Sequence, residues 1–139
     1  MANEGERLSP SQSGSAEDQL DPTVLKGLED LGGVEDPEFV TGILSAFLAE
    51  TPQQLAAIET ALAGGDPSTV ARCAHALKGS GRGIGAMRLV ELTFALEQKG
   101  RAGKVTAGKL LLAQIKAALN AVSATVKKEI SQRQAAAKK

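Results

Sequence analysis

The chain has 139 residues, 42% of them hydrophobic and 23% charged, which is the size of one domain with enough apolar material for a genuine core. Sixteen basic residues cancel sixteen acidic ones, but the charges are segregated: −3 over residues 1–20, −6 over 21–98 and +9 over 99–139. No Trp or Tyr and three Phe exclude an aromatic platform for nucleic-acid bases, and one Cys excludes an internal disulfide or a Cys-rich zinc site.

Residues 1–20 are rich in Ser, Gly, Gln and Glu and read as a disordered tail or linker, without the basic start and apolar middle of a signal peptide. The longest uncharged run, Phe39–Ala49, falls far short of the ~20 apolar residues of a membrane-spanning helix. With a lone Cys73 suiting a reducing compartment, the chain is expected to be cytoplasmic. Three aspartates are each followed by proline: Asp21-Pro22, Asp36-Pro37 and Asp66-Pro67. Aspartate accepts from the free N–H groups of a helix's first turn, and proline at the next position gives up an N–H that has no partner there anyway. Each pair therefore predicts a helix start.

The first helix is short, Pro22 to Leu31, with Leu25, Leu28 and Leu31 inward and Gly32-Gly33 as its stop. The second runs from Pro37 to Ala63 with an apolar stripe from Phe39 to Leu62; Pro52 removes one bond in it and predicts a kink rather than a break. The third starts at Pro67 and turns Val70, Cys73, Ala74, Leu77, Gly81 and Ile84 inward. The fourth spans Ala86 to Lys99 and is closed by Gly100 and Gly103, and the last runs from Lys104 to Arg133, burying Leu111, Ile115, Leu119, Val122, Val126 and Ile130. Helices joined by short Gly turns neighbour one another antiparallel, so the prediction is an all-α, antiparallel four-helix bundle with a short preceding helix. The bundle is placed over residues 21–133, with a disordered basic tail over 134–139.

The chemistry centres on His75, the lone histidine. In the helix beginning at Pro67, His75, Lys78, Gly79 and Arg82 fall at i, i+3, i+4 and i+7, on the face turned away from the buried line. The imidazole is thus expected to project into solvent, where an unperturbed ring, titrating at about 6.5, is a nucleophile near neutral pH. Lys78, expected to be exposed one turn away, neutralises charge on a phosphoryl group carried by the ring. Gly79, at a cost of about 1 kcal/mol against Ala, leaves the surface one turn from the ring open to a partner. Arg82 and Ser80 are possible supporting groups, Arg82 as added positive field and Ser80 as a donor or simply a small residue. The nearest charges along the chain, Arg72, Lys78, Arg82 and Arg88, make a positive patch in an acidic segment. Cys73 lies on nearly the opposite side of the helix from His75, and no carboxylate cluster completes a metal site. The Gly79–Gly85 stretch, GSGRGIG, superficially has the spacing of a dinucleotide fingerprint, but it follows a helix rather than a strand, so that match is spurious.

The stretch Ala74–Gly100, AHALKGSGRGIGAMRLVELTFALEQKG, resembles the histidine-containing phosphotransfer (HPt) domain of bacterial phosphorelays, through His-x-Leu-Lys-Gly-Ser, Ile84-Gly85-Ala86, Leu89 and the Leu96-Glu97 pair. With the upstream helix and the Asp66-Pro67 start, the likeness covers roughly residues 20–121. It implies a phosphocarrier without an ATP site of its own. His75 would be phosphorylated on a ring nitrogen and exchange that group with the aspartate of a response-regulator receiver domain. Lys78 would face the phosphate and Gly79 would give access. The implied partners are a receiver domain and a histidine or hybrid sensor kinase. No cofactor is expected on this chain, since magnesium belongs to the receiver, and neither nucleic-acid binding, membrane insertion nor self-association is expected. The alternative is a non-catalytic helical adaptor that binds receivers, or an acidic partner through the basic last helix; the basic end itself reads as a solubilising tail.

Overall fold

The computed structural model describes residues 19–33 and 35–137, in which helix follows helix: α1 (Pro22–Gly32), α2 (Phe39–Ala63), α3 (Pro67–Ile84), α4 (Met87–Arg101), a 3-10 turn (Val105–Ala107) and α5 (Gly108–Ala137). α2, α3, α4 and α5 pack as a closed ring of four, each against its two neighbours, and α1 lies across α2 and α3. The predicted bundle with a short helix in front is the observed architecture. No helix of the described residues is long and apolar enough to cross a membrane.

Two of the three Asp-Pro starts form as the sequence implies. Asp21 accepts from the Thr23 N–H at 2.8 Å, and Asp66 accepts from both the N–H and the hydroxyl of Thr69. Asp36-Pro37 does not start α2. Residues 37–38 form a turn, the Phe39 N–H bonds to the Asp36 carbonyl, and Glu38 stands at the cap without a side-chain bond. α2 runs through Pro52 as one helix, and the buried Thr51 hydroxyl donates to the Phe47 carbonyl at 2.8 Å in that turn.

The core is built from the predicted stripes. Leu44, Ile58, Leu77, Leu89, Leu96 and Ile115 are fully buried, each contributing roughly 1.5–3 kcal/mol. Leu31 departs from expectation: it is 76% exposed at the end of α1, while Leu28, one turn earlier, packs against the core. Cys73 is half-buried at the core's edge.

Two glycines allow close approaches to α3, one from α1 at its end and one from α4 along its length. Gly85 adopts φ +79 and closes α3: its own N–H returns to the Arg82 carbonyl and the Ala86 N–H to the Gly81 carbonyl. Its carbonyl also receives the Asp21 N–H at 2.8 Å, docking α1 there. Gly100 does not end α4, as the sequence suggests. It is buried inside the helix, where a Cβ would lie 2.8 Å from the Ala71 nitrogen, so its role is close contact with α3. At the other end of the chain, α5 begins after the 3-10 turn rather than at Lys104. It stays helical to Ala137, beyond the Arg133 boundary and into the stretch expected to be a disordered tail. Arg133 ties that end to α1 through Glu29 at 2.7 Å. Residues 1–18, most of the expected N-terminal tail, and 138–139, the last two of the expected C-terminal one, lie outside the described residues.

Candidate functional site

His75 lies midway along α3, on the helix face opposite Ala74 and Leu77, which are fully buried. Its side chain is 64% exposed, as the helical spacing predicts. The ring is not free, however. Nδ1 lies 3.0 Å from Oε2 of Glu97, on α4, whose side chain is only 3% exposed.

Glu97 is the centre of the site. The Arg101 guanidinium, one turn along α4, donates Nη2 to the same Oε2 at 2.7 Å, while Lys78 Nζ stands 2.7 Å from Oε1. Burial pushes the Glu97 carboxyl upward, but its contacts with Lys78, Arg101 and His75, together with the Lys78 charge, outweigh that and hold it at about 2. It is therefore ionised at neutral pH and accepts only. The proton between Glu97 and a neutral His75 must then sit on Nδ1, which leaves the lone pair on Nε2.

Lys78 is not the exposed residue the sequence reading places on the His75 face. Its side chain is 10% exposed, and its ammonium lies 5.0 Å above the Phe94 ring as well as against Glu97. A helical wheel shows that positions 75 and 78 are neighbours but says nothing about α4, whose carboxylate and aromatic ring draw the lysine inward. The nearest charge to His75 is thus the negative Glu97, not a basic residue.

The remaining predicted residues are dispersed around this core. Gly79 is exposed, and a Cβ there would meet nothing within 4 Å, so the surface one turn from His75 is open. Ser80 turns toward α2, donating to Gln54 Oε1 at 3.0 Å, and belongs to helix packing rather than to the site. Arg82 is exposed, without a side-chain partner among the described residues. On the other side of His75 an open cleft of about 750 Å³ is lined by His75, Arg72, Arg101 and the start of α3 at Asp66–Ser68. Among the described residues no three His, Cys, Asp or Glu side chains gather into a metal site.

Glu97 and Arg101 are the site residues that sequence reading passed over. Val90, Thr93, Glu97 and Gly100 recur at steps of three and four along α4, in line with Ala86 at its cap, and each of them is buried. A lone carboxylate in such a line needs a cationic partner, and that was the available signal.

The Hpt domain family model matches residues 42–125 of the sequence. A crystal structure of histidine-containing phosphotransfer protein B (HptB) from Pseudomonas aeruginosa PAO1 is similar to this chain, with 27% sequence identity and a TM-score of 0.75, covering 81% of this chain and 95% of that one. Among curated proteins no sequence matches significantly.

Proposed function

The chain belongs to the Hpt domain family, and from that premise we propose that His75 carries the phosphoryl group of a phosphorelay. The observation that carries the assignment is the pairing of an exposed imidazole with a buried, ionised carboxylate. Glu97 holds Nδ1–H and leaves Nε2 as a lone-pair nucleophile facing outward.

Transfer from an aspartyl phosphate of a receiver domain is then simple in its balance. The Nε2 lone pair attacks phosphorus, the N–P bond forms, and the P–O bond breaks with its electron pair leaving on the aspartate. No proton needs to move. The ring keeps Nδ1–H and becomes a cation, and the Glu97 carboxylate 3.0 Å away stabilises it. Return of the phosphoryl group runs the same steps backwards, so one residue serves as acceptor and donor. Lys78 acts through Glu97: by ion-pairing Oε1 it keeps the carboxylate charged and in place. The receiver and kinase of a two-component system are the partners, the receiver bringing its own magnesium, and this chain is a phosphocarrier.

The test uses the full chain with a phosphorylated receiver domain, or a sensor kinase and ATP, and intact mass as readout. One acid-labile phosphoryl group is expected on the wild type and none on His75→Gln. Equal labelling of the two proteins would remove His75 as the acceptor.

A further inference from the structure

Arg101 shares one oxygen with the reactive ring. Glu97 Oε2 accepts from Arg101 Nη2 at 2.7 Å and from His75 Nδ1 at 3.0 Å, so guanidinium and imidazole are neighbours across a single atom. The two cations of the site differ in access to solvent. Lys78 is 10% exposed, held between Glu97 Oε1 and the face of Phe94, whereas Arg101 is 62% exposed. Arg101 also lines the same open cleft as His75, with Arg72 beside it.

From this we infer that Arg101 leaves Glu97 on phosphorylation and binds the phosphoryl oxygens on Nε2, acting as the solvent-side cation that Lys78 is too deeply held to be. The inference rests on His75 being the acceptor. Charge balance favours the exchange. Before transfer, a neutral ring, Lys78, Arg101 and Glu97 together carry one surplus positive charge. Afterwards the ring itself is cationic on Oε2, so Glu97 no longer needs Arg101. A dianion has meanwhile appeared on the outer side of the ring. A guanidinium presents a planar fork that matches phosphate oxygens in pairs, and the exposed side chain has room to turn toward them. The cleft wall that partners meet therefore changes with the phosphorylation state, since Arg101 is directed at Glu97 in one state and at the phosphoryl group in the other.

The experiment is a phosphorus NMR titration of the full chain phosphorylated with phosphoramidate, comparing wild type, Arg101→Ala and Arg101→Lys. A guanidinium on the phosphoryl oxygens favours the dianion, so Arg101→Ala should raise the titration midpoint of the phosphohistidine signal by about one pH unit. Arg101→Lys should recover part of that shift. A merely structural role for Arg101 leaves the midpoint in place, and a midpoint that is the same in wild type and Arg101→Ala overturns the inference. Thermal melts check that the exposed substitution leaves the bundle intact. A protein-bound phosphoryl signal of the same intensity in His75→Gln, which has no histidine, would instead overturn the acceptor assignment, so the two failures are distinct.

Discussion

Glu97→Gln is expected to cost this bundle about 3 kcal/mol and to lower phosphoryl transfer to His75 about ten- to hundredfold. The stability loss has two convergent sources. Glu97 is 3% exposed and its carboxyl is lowered from 4.5 to about 2, a shift that corresponds to roughly 3 kcal/mol favouring the folded chain when the group is ionised. Removing that charge also strands Lys78, at 10% exposure, without a counter-ion, a change that typically costs about 3–5 kcal/mol. The sign of the pH effect follows from the lowered value. The contribution is complete above about pH 4.5 and is lost as pH falls toward 2, so acid unfolding of Glu97→Gln should lack that part of the wild-type slope. Denaturant unfolding at several pH values measures both effects. The kinetic loss has a separate cause. A glutamine oxygen still accepts from Nδ1–H but offers no charge to the cationic ring formed on transfer. The double variant Lys78→Met/Glu97→Gln separates the two: without the stranded ammonium it should regain most of the stability, yet transfer should remain slow. Restored transfer in the double variant would show that Glu97 matters only for folding.

Gly79→Gln should separate folding from function in the opposite sense. A Cβ at Gly79 meets nothing within 4 Å, so the side chain extends into solvent, and replacing a mid-helix glycine should stabilise α3 by roughly 0.5–1 kcal/mol. Gly79 lies one turn from His75 on the same face, and on its α2 side a groove of about 210 Å³ runs past Ile43, Ala46 and Phe47. A long side chain there stands where a receiver must approach to bring its aspartyl phosphate to Nε2. Displacement of reacting groups by about 1 Å costs on the order of a hundredfold, and exchange with a receiver should fall by at least that factor. Phosphoramidate, which is small, should label the variant at the wild-type rate. Unchanged exchange with receivers, measured on the same protein, would mean that access past Gly79 is not needed.

What could be read from the sequence depended on whether the determinant was local. Asp21-Pro22 and Asp66-Pro67 cap helices through bonds that span two or three residues, and both form. The apolar spacing of α3 also settles its orientation, so His75 is exposed as expected. Where the neighbour comes from another helix, the reading fails. Gly100 looks like a helix stop, but it lies within α4 because Ala71 of α3 needs the space. Lys78 looks like a surface lysine, but Glu97 and Phe94 of α4 bring it inside. On the helical wheel Lys78 is the phosphoryl cation and Arg82 at most its support, whereas Arg101, twenty-six residues from His75 along the chain, is brought to the ring only by the packing of α4 on α3. The charge segregation shows the same limit. The basic final segment begins just before Arg101, so part of its positive charge belongs to the site and not to a solubilising tail.

Because His75 is the lone histidine, a chain labelled with 15N only at histidine reports on a single imidazole. Long-range proton–nitrogen spectra of that ring, taken before and after phosphorylation by a receiver, test the central claim most directly. With the ring neutral, Nδ1 should be the protonated nitrogen and Nε2 the bare one, as the bond to Glu97 requires. After transfer, phosphorus coupling should appear on Nε2, with Nδ1 still protonated. A phosphorylated protein whose imidazole spectrum is unchanged, or whose phosphorus couples to Nδ1, would contradict the account.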